Sequence, residues 1–114
     1  MGKSKLPGPI ERRHLIEREL SAAQALRYAE AYLEEGFDVD AISFLVKAGA
    51  TDQLDALRSR AIEAGDGFLL RAVASETDTP PTAEEWKALA GGAARAGKEH
   101  YAAEALRQAE RWGS

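Results

Sequence analysis

Apolar residues recur along the chain at the three- and four-residue spacing of amphipathic helices, and no stretch alternates apolar and polar residues over the length of a strand. Alanine, leucine, glutamate and arginine dominate these stretches, and all four are strong helix formers. Glycines divide the pattern into segments short enough to pair as helical hairpins. The sequence therefore predicts an all-α fold, with a leader helix followed by six helices in three antiparallel hairpins.

The ends of the predicted helices follow from capping residues, glycines and prolines. Ser21 is placed to cap one helix, and Thr82 with Glu85 forms a capping box that starts another. Residues 75–81 hold two consecutive prolines and are expected to be the longest break in the helical pattern. The helices are expected at about 10–20, 21–35, 39–48, 51–64, 68–74, 82–96 and 98–112.

Three glycines, Gly36, Gly65 and Gly97, fall at the predicted hairpin turns, at intervals of 29 and 32 residues. Such regular spacing is typical of helical repeat proteins. The residues that share a register around these turns are Tyr32, Gly36, Ala41, Leu45 and Ala48 in the first hairpin and Trp86, Leu89, Ala90, Gly97, Ala102, Leu106 and Ala109 in the third. This pattern resembles the tetratricopeptide repeat, which implies a short α-solenoid that binds protein segments in a concave groove.

The repeat pattern also predicts which side chains join the helices. Small residues such as Ala41 and Ala102 are expected to let paired helices approach closely. Large residues are expected to fill the gap to the neighbouring hairpin: Tyr32, Leu45, Trp86 and Leu106. In the middle hairpin Leu70 stands where a small residue belongs, so that hairpin is also compatible with a HEAT-like pair.

The predicted domain organisation is a flexible basic leader at 1–9 followed by one helical repeat domain at 10–114. The hairpins are expected at about 21–48, 51–74 and 82–112. Two glycines, at positions 91 and 92, lie inside the third hairpin's first helix, where they cost about 2 kcal/mol of helix propensity. We therefore expect either another backbone to approach that helix closely or the helix to break there.

Composition excludes several classes of function. The absence of cysteine excludes disulfides, thiolate zinc sites, iron–sulfur ligation and a cysteine nucleophile. The net charge of -4 makes nucleic acid an unfavourable partner. No apolar run approaches the ~18 residues of a membrane span, so no membrane partner is expected. The 23 alanines and the lack of asparagine are typical of a high-GC bacterial genome, and the cytoplasm is the expected location.

The titratable residues do not predict an enzyme. Glu11, His14 and Glu17 share a helical face, but a carboxylate-bridged di-metal site needs a second Glu-x-x-His pair, and the sequence has none. Glu84 and Glu85 are explained by the favourable position of carboxylates at a helix start. No catalytic residue, metal ligand or cofactor is therefore predicted.

The resemblance to tetratricopeptide repeats implies that the first helix of each hairpin lines the concave groove. The predicted partner-binding residues are Leu26, Glu30, Leu33, Glu34, Lys87 and Arg95. The two leucines would bury against a peptide or an amphipathic helix, and the charged residues would set its orientation. A competing expectation is that the leader helix, with Leu15, Ile16 and Leu20, covers these leucines. The sequence thus predicts a non-catalytic adaptor whose protein or peptide partner it does not identify.

Two other functions remain open from the sequence. One is a homo-oligomeric helical protein whose interface comprises Trp112 and the final helix. The other is a nucleic-acid accessory protein that acts through the basic N-terminal segment 1–14, which carries Lys3, Lys5, Arg12 and Arg13.

Overall fold

The computed structural model describes residues 8–17 and 20–113, except for the side chains of 15–17 and 112–113. These residues form seven α-helices and no strand, which confirms the predicted all-α class. The helices are α1 (Pro9–Glu17), α2 (Ala22–Glu34), α3 (Asp38–Ala48), α4 (Thr51–Ala64), α5 (Gly67–Thr77), α6 (Ala83–Arg95) and α7 (Glu99–Gly113). None of these helices is long and apolar enough to cross a membrane.

The chain divides into two compact units, Met1–Leu54 and Asp55–Ser114, with the boundary inside α4. In the first unit α2 packs against α3, and α1 also contacts α3. In the second unit α6 packs against α7. The bounds of these two helix pairs agree to within one residue with the ranges predicted for the first and third hairpins.

Capping boxes start α2 and α6, as the cap residues of the sequence predict. The Ser21 hydroxyl accepts the backbone N–H of Gln24 at 3.1 Å, and the Thr82 hydroxyl accepts that of Glu85 at 3.0 Å. The side chains of Gln24 and Glu85 accept the backbone N–H of Ser21 and Thr82 in return. Each box satisfies two backbone donors that the first helical turn leaves unpaired.

Aromatic side chains fill the interior of the first unit. The ring of Phe44 stacks on Tyr28 and Tyr32, with centroids 5.3 and 5.6 Å apart. Phe44 and Tyr32 are almost completely buried, and burial raises the pKa of the Tyr32 hydroxyl above its ordinary value. Ala41 and Leu45 are buried as the repeat pattern predicts.

Small residues instead allow close helix packing in the second unit. A Cβ atom at Gly92 would lie 2.6 Å from the carbonyl oxygens of both Ile62 and Glu63, so only glycine permits α6 to approach the last turn of α4 this closely. Gly65, with φ of 71°, similarly faces the backbone of Ala93. The expected close approach is confirmed at Gly92, and α6 continues through both glycines without a break.

Two predicted helix ends are wrong. The break expected at 75–81 begins later, because α5 continues to Thr77, whose hydroxyl donates to the Val73 carbonyl, and ends at Asp78 in a left-handed conformation. The first helix does not reach Leu20, which precedes the extended N-cap of α2 and is not helical.

The predicted packing role of Leu106 is also wrong, because this side chain is 49% exposed. The buried seam of α7 consists of Ala105 and Ala109, and successive residues of a helix lie about 100° apart around its axis. Leu106 is therefore rotated out of the seam that its neighbour Ala105 occupies.

Candidate functional site

A cleft of about 360 Å³ opens in the second unit, between the start of α5 and the faces of α6 and α7. Its volume lies at the lower end of the range for ligand sites, roughly 300–1,000 Å³. We call it the aromatic cleft. The side chains that define its chemistry are Phe68, Arg71, Trp86, Lys98, Tyr101 and Glu104.

Two aromatic side chains of the aromatic cleft are unusually exposed. Phe68 is 72% and Tyr101 63% exposed, whereas Trp86 is only 3% exposed. Phe68 points away from the core because the buried face of α5 is formed by Leu69, Leu70, Val73 and Ala74. The cleft therefore joins one buried indole to two aromatic rings whose apolar surface meets water.

Arg71 covers the indole of the aromatic cleft. Its guanidinium carbon lies 5.1 Å from the Trp86 ring centroid, within the range of a cation–π interaction. Its Nη2 atom is 3.9 Å from a carboxylate oxygen of Glu104, and about half of the Arg71 side chain is exposed. The Nε1 atom of Trp86 is buried and has no hydrogen-bond partner among the described residues. The guanidinium of Arg71 thus lies at the surface of the cleft, where a ligand could contact it.

The two carboxylates of the aromatic cleft are already engaged. Glu104 accepts hydrogen bonds from Gln108 at 2.9 Å and Arg107 at 2.7 Å, and these bonds lower the pKa of its carboxyl. Asp66 accepts the backbone N–H of Leu69 at 3.0 Å as the N-cap of α5. The Lys98 side chain, by contrast, makes a single long contact with the described residues, 3.4 Å from its Nζ to the Ala64 carbonyl.

A second polar cluster in this unit is held together by bonds among its own residues. Arg58 donates to both carboxylate oxygens of Glu85 at 2.8 Å, and to the hydroxyl and carbonyl oxygens of Thr79 at 2.9 Å. The Arg58 hydrogen bonds are the main reason that the pKa of Glu85 is lowered, and the same pairing raises the pKa of Arg58. This cluster anchors the segment before α6 and uses four of the five guanidinium N–H groups of Arg58 for bonds within the protein.

The predicted partner-binding residues lie in both units. Leu26, Glu30, Leu33 and Glu34 lie on one side of α2, the leucines half-buried and the glutamates exposed. Leu26 borders a shallow recess that residues 48–53 complete. Lys87 and Arg95 are exposed on α6 of the other unit.

The sequence interpretation missed the exposed members of the aromatic cleft. Leu69, Leu70 and Val73 form an apolar stripe at helical spacing, and Phe68 lies outside it. That mismatch is the one local signal that could have identified Phe68 as a surface aromatic. Tyr101 lies four residues before Ala105 and therefore close to the helix face of the alanine seam, so the local pattern of α7 gives no such signal for it.

The remaining candidate sites gain little from the structure. No group of three or more histidine, aspartate or glutamate side chains among the described residues could hold a metal ion. Arg12, in the basic N-terminal segment 1–14, forms an ion pair with Asp40. Lys3 and Lys5 lie outside the described residues, as does the side chain of Trp112.

Comparison with known proteins adds no further information. No protein-family model matches the chain, and neither the curated proteins nor the solved structures contain a significant match. The function is therefore inferred from the residues of the chain itself.

Proposed function

We propose that this protein is a non-catalytic interaction module that binds a segment of a partner protein in the aromatic cleft. The observation that carries the proposal is the exposure of Phe68 and Tyr101 at the cleft. Aromatic residues are enriched at protein interfaces, where burial of their rings provides much of the binding energy. A partner side chain that enters the cleft would remove both rings from water and contact the indole of Trp86.

The carboxylates of the aromatic cleft support binding rather than catalysis. A general acid or base must exchange a proton with its substrate. Asp66 instead caps α5, and Glu104 is held in its charged form by Gln108 and Arg107. Both groups therefore have structural partners that account for their positions.

We also propose that the hairpins are repeats similar to tetratricopeptide repeats, stacked as a short α-solenoid. The support is local: α2 and α6 both start with a capping box, and Gly36 and Gly97 follow them with φ of 83° and 78°. In that arrangement Leu26, Leu33 and the charged groove residues would form a second contact surface. The exposure of Leu106 is the observation that fits this arrangement least.

Self-association is the second candidate function, and it is favoured by a specific feature of α7. Leu106 is 49% exposed on this helix, so two copies could bury this side chain against each other. Sedimentation equilibrium over a hundredfold concentration range tests this candidate. A mass that stays at that of one chain would exclude self-association at those concentrations.

Affinity capture from an extract of the source cells tests the interaction module. The wild type is compared with a cleft variant, Phe68→Ala with Tyr101→Ala, and a groove variant, Leu26→Glu with Leu33→Glu. Phe37→Ala is the matched control, since this phenylalanine is 49% exposed in the other unit. Circular dichroism first establishes that each variant is folded.

We expect the wild type and Phe37→Ala to capture a protein that the folded cleft variant no longer captures. Loss only with the groove variant would place the interface on α2 and overturn the role of the aromatic cleft. Equal capture by all four proteins would overturn both surfaces.

A further inference from the structure

We infer that the aromatic cleft selects an acidic peptide segment, in which a large apolar side chain enters the cleft and a carboxylate beside it meets Lys98 and Arg71. This inference rests on the proposed function and adds the chemistry of the partner. It differs from the expectation that the net charge of -4 suggests, because a molecule of that charge attracts basic segments in general.

The local balance of charge is the first step of the argument. Both carboxylates of the cleft already accept hydrogen bonds. Glu104 accepts them from Arg107 and Gln108, and Asp66 accepts one from the backbone N–H of Leu69. Lys98 has no carboxylate within 4.0 Å among the described residues and is exposed. The group in the cleft that most lacks a partner is therefore a cation, and a ligand carboxylate would complement it.

The position of Arg71 is the second step. Its contact with Glu104 spans 3.9 Å, which is longer than the usual 2.7–2.9 Å of a charge-assisted hydrogen bond. A guanidinium can stack on an aromatic ring and still present its edge to a carboxylate. Arg71 can therefore keep its place over Trp86 while it donates to a ligand.

The apolar part of the ligand is the third step. Phe68 and Tyr101 offer ring surface that only an apolar or aromatic group would cover favourably, and Trp86 and Leu89 also line the cleft. A small carboxylate alone would leave most of this surface in water. The ligand therefore combines an apolar anchor with a nearby negative charge.

A nucleic acid also combines rings with negative charge, but it fits the observations less well. Strong binding to a phosphate backbone requires several cations along its path. The cleft offers Arg71 and Lys98, and the chain around them carries a net charge of -4 that repels a polyanion. A peptide with a few carboxylates avoids most of that repulsion.

Three synthetic hexapeptides with blocked ends test the inference by NMR titration of the ¹⁵N-labelled full chain at low ionic strength. The first has a central leucine–tryptophan pair with two glutamates on each side. The second replaces the glutamates with lysines, and the third replaces the central pair with two alanines. We expect the first peptide to shift the amides of the aromatic cleft and to bind about tenfold more tightly than the lysine peptide.

Charge reversal at Lys98 provides the decisive variant. Lys98 immediately precedes α7, where a carboxylate favours the helix, so Lys98→Glu is expected to fold normally. It should remove the preference for the glutamate peptide, whereas Arg27→Glu, at an exposed arginine of α2 outside the cleft, should retain it. In the wild type, 0.5 M salt should weaken the binding of the glutamate peptide. In Lys98→Glu, the same salt should change the binding of this peptide little.

Several outcomes would overturn the inference. Equal or tighter binding of the lysine peptide at the same amides would refute the charge preference and leave the interaction module intact. Equal binding of the alanine peptide would refute the apolar anchor. Shifts of the same amides by oligothymidylate with comparable affinity would assign the cleft to nucleic acid. If no peptide shifts the cleft amides at millimolar concentration, the inference fails, and the capture experiment decides the proposed function separately.

Discussion

The helix pairs α2–α3 and α6–α7 begin and turn in the same way but differ inside. Each pair starts with a capping box, and each turns at a glycine whose following residue donates its N–H back into the first helix: Phe37 to Tyr32 at 2.9 Å, and Lys98 to Ala93 at 2.8 Å. In α2–α3 the stacked rings of Phe44 and its two tyrosine neighbours occupy the interior. In α6–α7 the buried residues are mostly small: Ala90, Gly92, Ala93, Ala105 and Ala109.

This difference shows that aromatic residues have two roles in the molecule, one in the core and one at the surface. A buried ring such as Phe44 stabilises the fold through the apolar area that it removes from water. The exposed rings of Phe68 and Tyr101 contribute little to folding, because they remain in contact with water. Their surface becomes useful only when another molecule covers it, and this is why the second unit is the better candidate for binding.

The largest expected effect on stability comes from replacing the buried Phe44, and the exposed Phe68 provides the comparison. Phe44→Ala should lower the free energy of unfolding by about 4 kcal/mol, because it removes a fully buried ring and leaves a cavity. Phe68→Ala should change it by less than about 0.5 kcal/mol. Urea denaturation of both variants measures the difference.

A large loss of stability in Phe68→Ala would contradict the comparison, because it would make this ring part of the core. Phe37→Ala is the control for an exposed phenylalanine in the first unit. Its effect should resemble that of Phe68→Ala.

The next effect tests the close packing of the second unit. Gly92→Ala should lower the free energy of unfolding by about 2–3 kcal/mol, because its Cβ would overlap the carbonyl oxygens of Ile62 and Glu63. Gly91→Ala is the matched control: its Cβ would meet only the end of the flexible Arg95 side chain, at 3.4 Å. This control should raise the free energy of unfolding by about 1 kcal/mol through helix propensity. Thermal and urea unfolding of both variants should give opposite signs, and equal signs would refute the close approach.

The sequence predicts the features of this fold that depend on neighbours along the chain. The capping residues of α2 and α6 and the glycine that ends α3 can all be read locally, since each bonds with residues three to five positions away. Asp78 was missed as a helix end, because a non-glycine residue seldom takes a left-handed conformation. The prolines that follow it suggested an earlier break.

The aromatic cleft could not be predicted in this way. Whether Leu106 or Ala105 faces inward depends on a rotation of α7 by one residue, and the neighbouring helices rather than α7 itself determine that rotation. Both choices give an acceptable amphipathic pattern in an alanine-rich helix. The cleft further requires Phe68, Trp86 and Tyr101, from three different helices, to come together. The six predicted partner-binding residues stay a prediction.

A smaller effect is expected at the second capping box, that of α6, because its residue Glu85 is also paired with an arginine. Glu85→Gln should lower the free energy of unfolding at pH 7 by about 1–2 kcal/mol, because the charged pair with Arg58 is lost. The folded-state pKa of Glu85 lies below its ordinary value of 4.5, so this stabilisation is present above pH 4.5. It disappears as the pH falls through the lowered pKa.

Urea unfolding of the wild type and Glu85→Gln across the acidic range measures this dependence. The two curves should converge at low pH. A constant difference at every pH would show that the Arg58 pair contributes nothing through the charge of Glu85.

The smallest expected effect is the reverse change in the first capping box. No acidic residue occupies the first turn of α2, so Gln24→Glu places a negative charge near its N-terminus and retains an oxygen that accepts the Ser21 N–H. This variant should raise the free energy of unfolding by about 0.5 kcal/mol. Because Gln24 is exposed, 0.5 M salt should remove most of the gain, whereas the less exposed Arg58–Glu85 pair should keep most of its contribution. Salt could instead reduce the gain from Gln24→Glu and the contribution of the Arg58–Glu85 pair to the same extent. The strength of the second box would then come from charge at the helix start, and Arg58 would only position the segment before α6.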